Sequence, residues 1–174
     1  MVYGMELAKD GEKHLVTWDD ERISTVASWH PNPPSGRPFG ASGVCLTPDG
    51  KAVIVSPNGR RWSLPGGRPE GDETPVETLR REMLEEACVS VTASWLLGFC
   101  RITDTSGPSA GVTKVRAWFR ADVVVHSWAP RFEITHRRLI GPEEIFAHIV
   151  VAPGEAPIIN RVLHEATSAY RRSV

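Results

Sequence analysis

Glu73, Arg81, Glu82, Glu85 and Glu86 stand at fixed offsets between Gly67 and Val89. Four carboxylates and one guanidinium on a glycine turn followed by a helix form an arrangement for holding a divalent cation against a pyrophosphate. Carboxylate oxygens, with backbone carbonyls and water, are the ligand set of magnesium or manganese. With average residue usage, the whole pattern arises by chance in a chain of 174 residues on the order of one time in a million. A solvated acidic helix face is the reading of a lone Glu-Glu pair, and it does not explain the rest of the pattern.

The elements that must position these groups are legible beside them. Leu64-Pro65-Gly66-Gly67 turns the chain sharply, as paired glycines permit. Thr74-Pro75-Val76-Glu77 starts a helix: Thr74 caps, Pro75 suits the first helical position, and Glu77 completes a capping box. Val76, Leu79, Met83 and Ala87 then recur at helical spacing as a buried stripe. Glu82, Glu85 and Glu86 share another side, roughly 100° around from it. The stripe can pack on a sheet while the carboxylates face a cleft. Their mutual repulsion amounts to a few tenths of a kcal/mol per pair, a cost that a divalent cation would remove. Arg81 offers a rigid fork to Glu73 or a neighbouring carboxylate, and is also placed as an i,i+4 partner of Glu77.

The segment from Gly67 to Val89 resembles the Nudix box, the signature of the Nudix (MutT-like) hydrolases. That resemblance implies an α/β fold, a Nudix-type α/β/α sandwich with a mixed sheet. It also implies cleavage of a nucleoside diphosphate linked to another moiety, with Mg2+ or Mn2+. On this footing Glu82, Glu85 and Glu86 are the expected metal ligands, joined by the carbonyl of Gly66. Glu82 is a candidate for activating the attacking water, and Arg81 and Glu73 would orient the ligand carboxylates. The chemistry implied is in-line attack of water on phosphorus. One position departs from the box: Cys88 stands where a glycine is expected to end the helix with positive φ, at a cost of roughly 1 kcal/mol. It supplies no ligand, and a small buried residue is the expectation for it.

Length and composition set outer bounds. A chain of 174 residues with 41% hydrophobic and 24% charged residues suits one ordinary globular domain. A net charge of −1 argues against a nucleic-acid partner held by phosphate neutralisation. No apolar run approaches membrane-spanning length. Cys45, Cys88 and Cys100 lack a disulfide framework and fit a reducing cytoplasm. Residues 1–40 are expected as an N-terminal extension of strands or a short helix, with a Pro-rich loop at 31–38 and a plausible homodimer contact; the Nudix domain is expected over 41–174. Strands are expected at 41–46, 52–56, 89–99 and 114–126, a loop over 104–111, a short helix at 142–149 and a longer one at 157–171.

Outside the box, Glu133 resembles by chain order the loop acid that many Nudix enzymes place over the metals; Asp104 is a second candidate. Arg60, Arg61 and Arg68 are candidates for a substrate phosphate. Trp62 is expected in the core, and Trp118 and Trp128 there or against a base. The substrate is a small nucleotide-type molecule whose class the box does not choose. Residues that mark ADP-ribose, diadenosine polyphosphate and coenzyme A hydrolases are missing from the corresponding stretches. A Nudix-fold binding or regulatory module with little catalysis is the alternative reading, although such modules typically lose box carboxylates that this chain retains. An isomerase-like relative acting on an isoprenoid diphosphate has nothing else to recommend it.

Overall fold

The computed structural model describes residues 6–18 and 23–172, and its class is α/β with an open mixed sheet. The strands are β1 (Lys13–Trp18), β2 (Ile23–His30), β3 (Arg37–Leu46), β4 (Ala52–Ser56), β5 (Gly66–Gly67), β6 (Val89–Asp104), β7 (Thr113–Val125) and β8 (His136–Ile140). The helices are α1 (Pro75–Ala87), α2 (Ile145–His148), which follows a 3-10 turn at Pro142–Glu144, and α3 (Ala156–Arg172). Two compact units divide the chain: Met1–Phe39 with Leu97–Trp118 and Val151–Val174, and Gly40–Leu96 with Phe119–Val150. The long strands β3, β6 and β7 have stretches in each.

In the first unit β1 and β2 form an antiparallel pair from Lys13↔Ser28 to Trp18↔Ile23, and β2 pairs antiparallel with β6 from Thr25↔Asp104 to His30↔Phe99. Ile158, Ile159, Val162, Leu163 and Ala166 repeat at helical spacing and form the buried face of α3. Trp29 is fully buried and lies across Gly98, where a Cβ would collide with its ring. The Arg161 guanidinium stands 5.8 Å from the Trp29 ring centroid and donates to the Ala8 carbonyl at 2.8 Å.

The second unit holds the box. All of β4 is buried, so it reads as an apolar run rather than an alternation. It pairs antiparallel with β8 from Ala52↔Ile140 to Ser56↔His136, and β3 pairs with β5 at Ala41↔Gly67 and Ser42↔Gly66. Helix α1 buries Thr78, Leu79, Met83 and Ala87. Gly43 lets it sit close to β3, because a Cβ there would lie 3.1 Å from Leu79 and 3.2 Å from the Cys45 sulfur. Cys45 in turn touches the Met83 sulfur at 3.1 Å.

Several boundaries differ from the sequence expectation. Val76 is half-buried, and Thr78 takes its place in the buried stripe. β3 begins at Arg37, inside the Pro-rich stretch, and β6 continues through Asp104. β8, a polar strand, is not signalled by the sequence. No helix among the described residues is long and apolar enough to cross a membrane, and the three cysteines are free and buried.

Candidate active site

Helix α1 starts as its sequence dictates. Thr74 is the N-cap, with extended φ −70° and ψ 158°. Its backbone N–H donates to the Glu77 carboxylate at 2.8 Å, while its hydroxyl accepts from the Glu77 N–H at 3.4 Å. The box is therefore closed in both directions. Glu77 is spent on this cap, so Arg81 is not its partner.

Arg81 instead gathers the other carboxylates. Its Nε and Nη2 donate to the two oxygens of Glu73 at 2.8 and 3.0 Å, a bidentate fork. Nη1 donates to Glu82 Oε1 at 3.1 Å and to Glu85 Oε2 at 3.0 Å, and Nη2 also reaches the Arg68 carbonyl at 2.7 Å. One guanidinium thus hydrogen-bonds three carboxylates and stands 3.8 Å from a further one, that of Glu70, so the group is net negative. The Gly66 N–H donates to Glu86 Oε2 at 3.0 Å, which ties the fourth carboxylate of the box to the glycine turn. Gly67 is a cradle for Glu82: a Cβ at position 67 would occupy the space of its carboxylate. Gly66 adopts φ +156°, and a Cβ there would collide with the Ala41 carbonyl and Ser42.

The electrostatics follow from these contacts. The Arg81 fork first, then the Glu70 N–H and the Thr78 hydroxyl, hold the Glu73 carboxyl down at about 2 against an ordinary 4.5. Burial pushes Glu82 up; Arg81 opposes this, while the charges of Glu85 and Glu133 add to it. Arg81 is held far above its ordinary range, chiefly by Glu73. Because Glu73 is depressed in the folded state, its stabilisation is complete above about pH 4.5 and is lost as pH falls through about 2. Glu82 has the opposite sign: its contribution is present at low pH and is lost as pH rises. Melting temperatures of metal-free protein between about pH 2 and 7 should therefore show an acid limb that Glu73→Gln flattens. An equally steep limb in the variant would contradict the assignment.

The exit of α1 is built differently from its start. Cys88 is left-handed, with φ 50° and ψ 47°, and its N–H donates to the Met83 carbonyl. Among the described residues it is the one non-glycine residue with positive φ. It therefore keeps the conformation expected of the glycine it replaces. Cys88→Gly should accordingly raise stability by roughly 1 kcal/mol in a denaturant titration, with turnover within a few-fold of the parent. A collapse in activity would instead assign the thiol a role. The last turn of α1 carries no basic residue. Arg137, from β8, supplies the cation: Nη1 donates to the carbonyls of Ala87 at 2.8 Å, Cys88 at 3.2 Å and His126 at 3.1 Å. Sequence reasoning did not find Arg137; the missing basic residue at the helix end was the available signal.

The remaining candidates separate. Glu133 is exposed, its charge acts on Glu82, and among the described residues it forms no ion pair with Arg131 or Arg137. Asp104 is buried in the first unit and is paired with Lys114 at 2.5 Å. Arg60, Arg61 and Arg68 are exposed. Trp62 is in the core as expected, with the Arg138 guanidinium 4.4 Å from its ring centroid. Trp118 is buried, and Trp128 packs against Arg137 at 5.1 Å.

Among the described residues, no three His, Cys, Asp or Glu side chains are arranged to hold a metal ion as they stand. Glu82 Oε1 and Glu85 Oε2 both accept from the single Nη1 of Arg81, and carboxylate oxygens are the donor type that a hard divalent cation takes.

A family model described as the NUDIX domain matches residues 36–162. The chain belongs to the NUDIX family. Relatives from two strains of Mycobacterium tuberculosis, each named "Putative 8-oxo-dGTP diphosphatase 3", are 34% identical over 99 residues, covering 51% of this chain and 40% of theirs. The chain thus matches less than half the length of those relatives. The fold is also similar to that of the Bacillus subtilis pyrophosphohydrolase BsRppH, with a TM-score of 0.67 at 19% identity over 89% of this chain and 96% of that one. A NUDIX hydrolase from Nitrosomonas europaea gives a TM-score of 0.58 at 21% identity, over 78% and 90% of the two chains.

Proposed function

We propose that this chain is a Mg2+- or Mn2+-dependent hydrolase that cleaves the pyrophosphate bond of a nucleoside diphosphate linked to another moiety, by attack of water on phosphorus. The observation that carries this reading is the convergence of Glu82 and Glu85 on one cationic position, beside a Glu86 anchored to the Gly66 N–H. Glu82, Glu85 and Glu86 would hold the metal, with the Gly66 carbonyl and Glu133 as further ligands. When bound, the metal supplies charge neutralisation at the attacked phosphate and its leaving group.

The chain's own residues do the rest. Arg81 and Glu73 fix the orientation of Glu82 and Glu85. Glu82 Oε1 is held by Arg81, which leaves Oε2 as the atom to accept a proton from water. Arg60, Arg61 and Arg68 stand as exposed cations for the substrate phosphates, and Glu133→Gln should lower kcat if that loop acid serves the site. The mycobacterial relatives are named for 8-oxo-dGTP, so that nucleotide is the first to test.

The test is a phosphate-release screen over nucleoside triphosphates, nucleotide sugars, ADP-ribose, dinucleoside polyphosphates and NADH, with and without Mg2+ or Mn2+. Turnover of one class that needs metal supports the proposal and names the substrate. Silence across the panel, with metal bound, favours a binding module.

A further inference from the structure

Helix α1 carries Glu85 and Glu86 in its last turn, and the groups that fix this turn come from far along the chain. The His126 N–H donates to the Cys88 carbonyl at 2.9 Å, and the Cys88 thiol faces the Ala129 carbonyl at 3.7 Å. Arg137 completes the join. Its Nη1 reaches the carbonyls of Ala87, Cys88 and His126 at 2.8, 3.2 and 3.1 Å, and its Nη2 reaches His126 again at 3.1 Å. The Trp128 ring lies 5.1 Å from the same guanidinium, so the fork is held from the side as well. The segment from His126 to Arg137 is thus closed at both ends on the exit of α1, and Glu133 lies within it. A planar guanidinium with several fixed donors can serve carbonyls from two segments at once, whereas an ammonium presents one point charge.

We propose that Arg137 is a positioning residue for the candidate active site: by tying both ends of the 126–137 segment to the last turn of α1, it sets Glu85, Glu86 and Glu133 in register with one another. The inference rests on the metal-hydrolase reading given above. Groups hydrogen-bonded to metal ligands usually change metal affinity by about ten- to a hundredfold, and Arg137, acting one step further out, is expected at the lower end of that range. Helix-end neutralisation alone would affect stability and nothing else.

The experiment compares the parent with Arg137→Gln, Arg137→Lys, and Arg137→Gln combined with Cys88→Gly. Three quantities are measured: Mn2+ binding to the free protein, amide hydrogen exchange of residues 126–136 without metal, and Tm. Arg137→Gln should weaken Mn2+ binding about tenfold and speed exchange across the segment. Arg137→Lys should recover Tm through its charge but not the Mn2+ affinity, because it lacks the fork. The Cys88→Gly background should likewise restore stability while the affinity stays low. With a substrate from the screen, kcat should fall and KM should hold.

Parent-like Mn2+ affinity in a folded Arg137→Gln protein, with only Tm lowered, would overturn the proposal. So would an affinity that returns with Tm in the combined variant. Should Arg137→Gln fail to fold, Arg137→Lys decides alone, and parent-like affinity in it overturns the fork argument. A parent that binds no Mn2+ is a separate result: it removes the metal-hydrolase reading, and the inference falls with it.

Discussion

Glu86→Gln is expected to lower kcat by at least a hundredfold, the scale on which a preorganised charge at a transition state is felt. The substitution isolates that charge. The glutamine oxygen can still accept from the Gly66 N–H, which Glu86 Oε2 takes at 3.0 Å, so the glycine turn keeps its anchor. What disappears is one negative charge from the donor set for the metal. Repulsion from Glu82, one turn earlier, also falls by a few tenths of a kcal/mol, so the metal-free variant should melt no lower than the parent. A loss of kcat with KM little changed would mark an interaction made mainly in the transition state. Steady-state kinetics with Mg2+ and with Mn2+, alongside Tm, check all three statements. Unchanged turnover would reject the site.

Arg81→Gln is expected to act on stability and activity together. Nη1 donates to both the Glu82 and the Glu85 oxygens, so the guanidinium offsets the repulsion between them. Removing it leaves Glu73, Glu82 and Glu85 facing one another, at a cost of about 2 kcal/mol for a partly exposed, hydrogen-bonded charge. Mn2+ should then raise Tm more in the variant than in the parent, because the ion answers repulsion that Arg81 no longer offsets. Turnover should still fall about ten- to a hundredfold, since Glu82 and Glu85 lose the fork that orients them. Arg81→Lys restores the charge without the fork and should recover Tm better than kcat. Melting curves with and without Mn2+ would decide; equal metal-induced shifts in variant and parent would remove Arg81 from this role.

How far the molecule could be read in advance depended on the range of the interactions. The start of α1 rests on contacts between Thr74 and Glu77, three residues apart, and the capping box was legible without coordinates. The shared face of Glu82, Glu85 and Glu86 follows from helical periodicity, as does the burial of Leu79, Met83 and Ala87. β4 was visible because a strand covered on both faces is apolar throughout. β8 was not: His136-Arg137-Arg138-Leu139-Ile140 lies at the end of its run of strands and keeps a polar sequence, so no period distinguishes it from a loop. The role of Arg137 was hidden for the same reason. Its acceptors at 87 and 88 are remote in sequence, and nothing local to position 137 announces them. The family signature supplied the metal chemistry and the Arg81 fork was legible beside it, while its simultaneous reach to Glu73, Glu82 and Glu85 came from the geometry.

Gly67 and Glu82 share one volume. The carboxylate fills the volume that any side chain at position 67 would need. A lineage that gains even a methyl group at 67 must move or shorten the acid at 82, and the reverse change opens a hole beside the turn. The carboxylate is the far end of a flexible side chain, so a methyl group at 67 would swing it away from the position it holds beside Arg81.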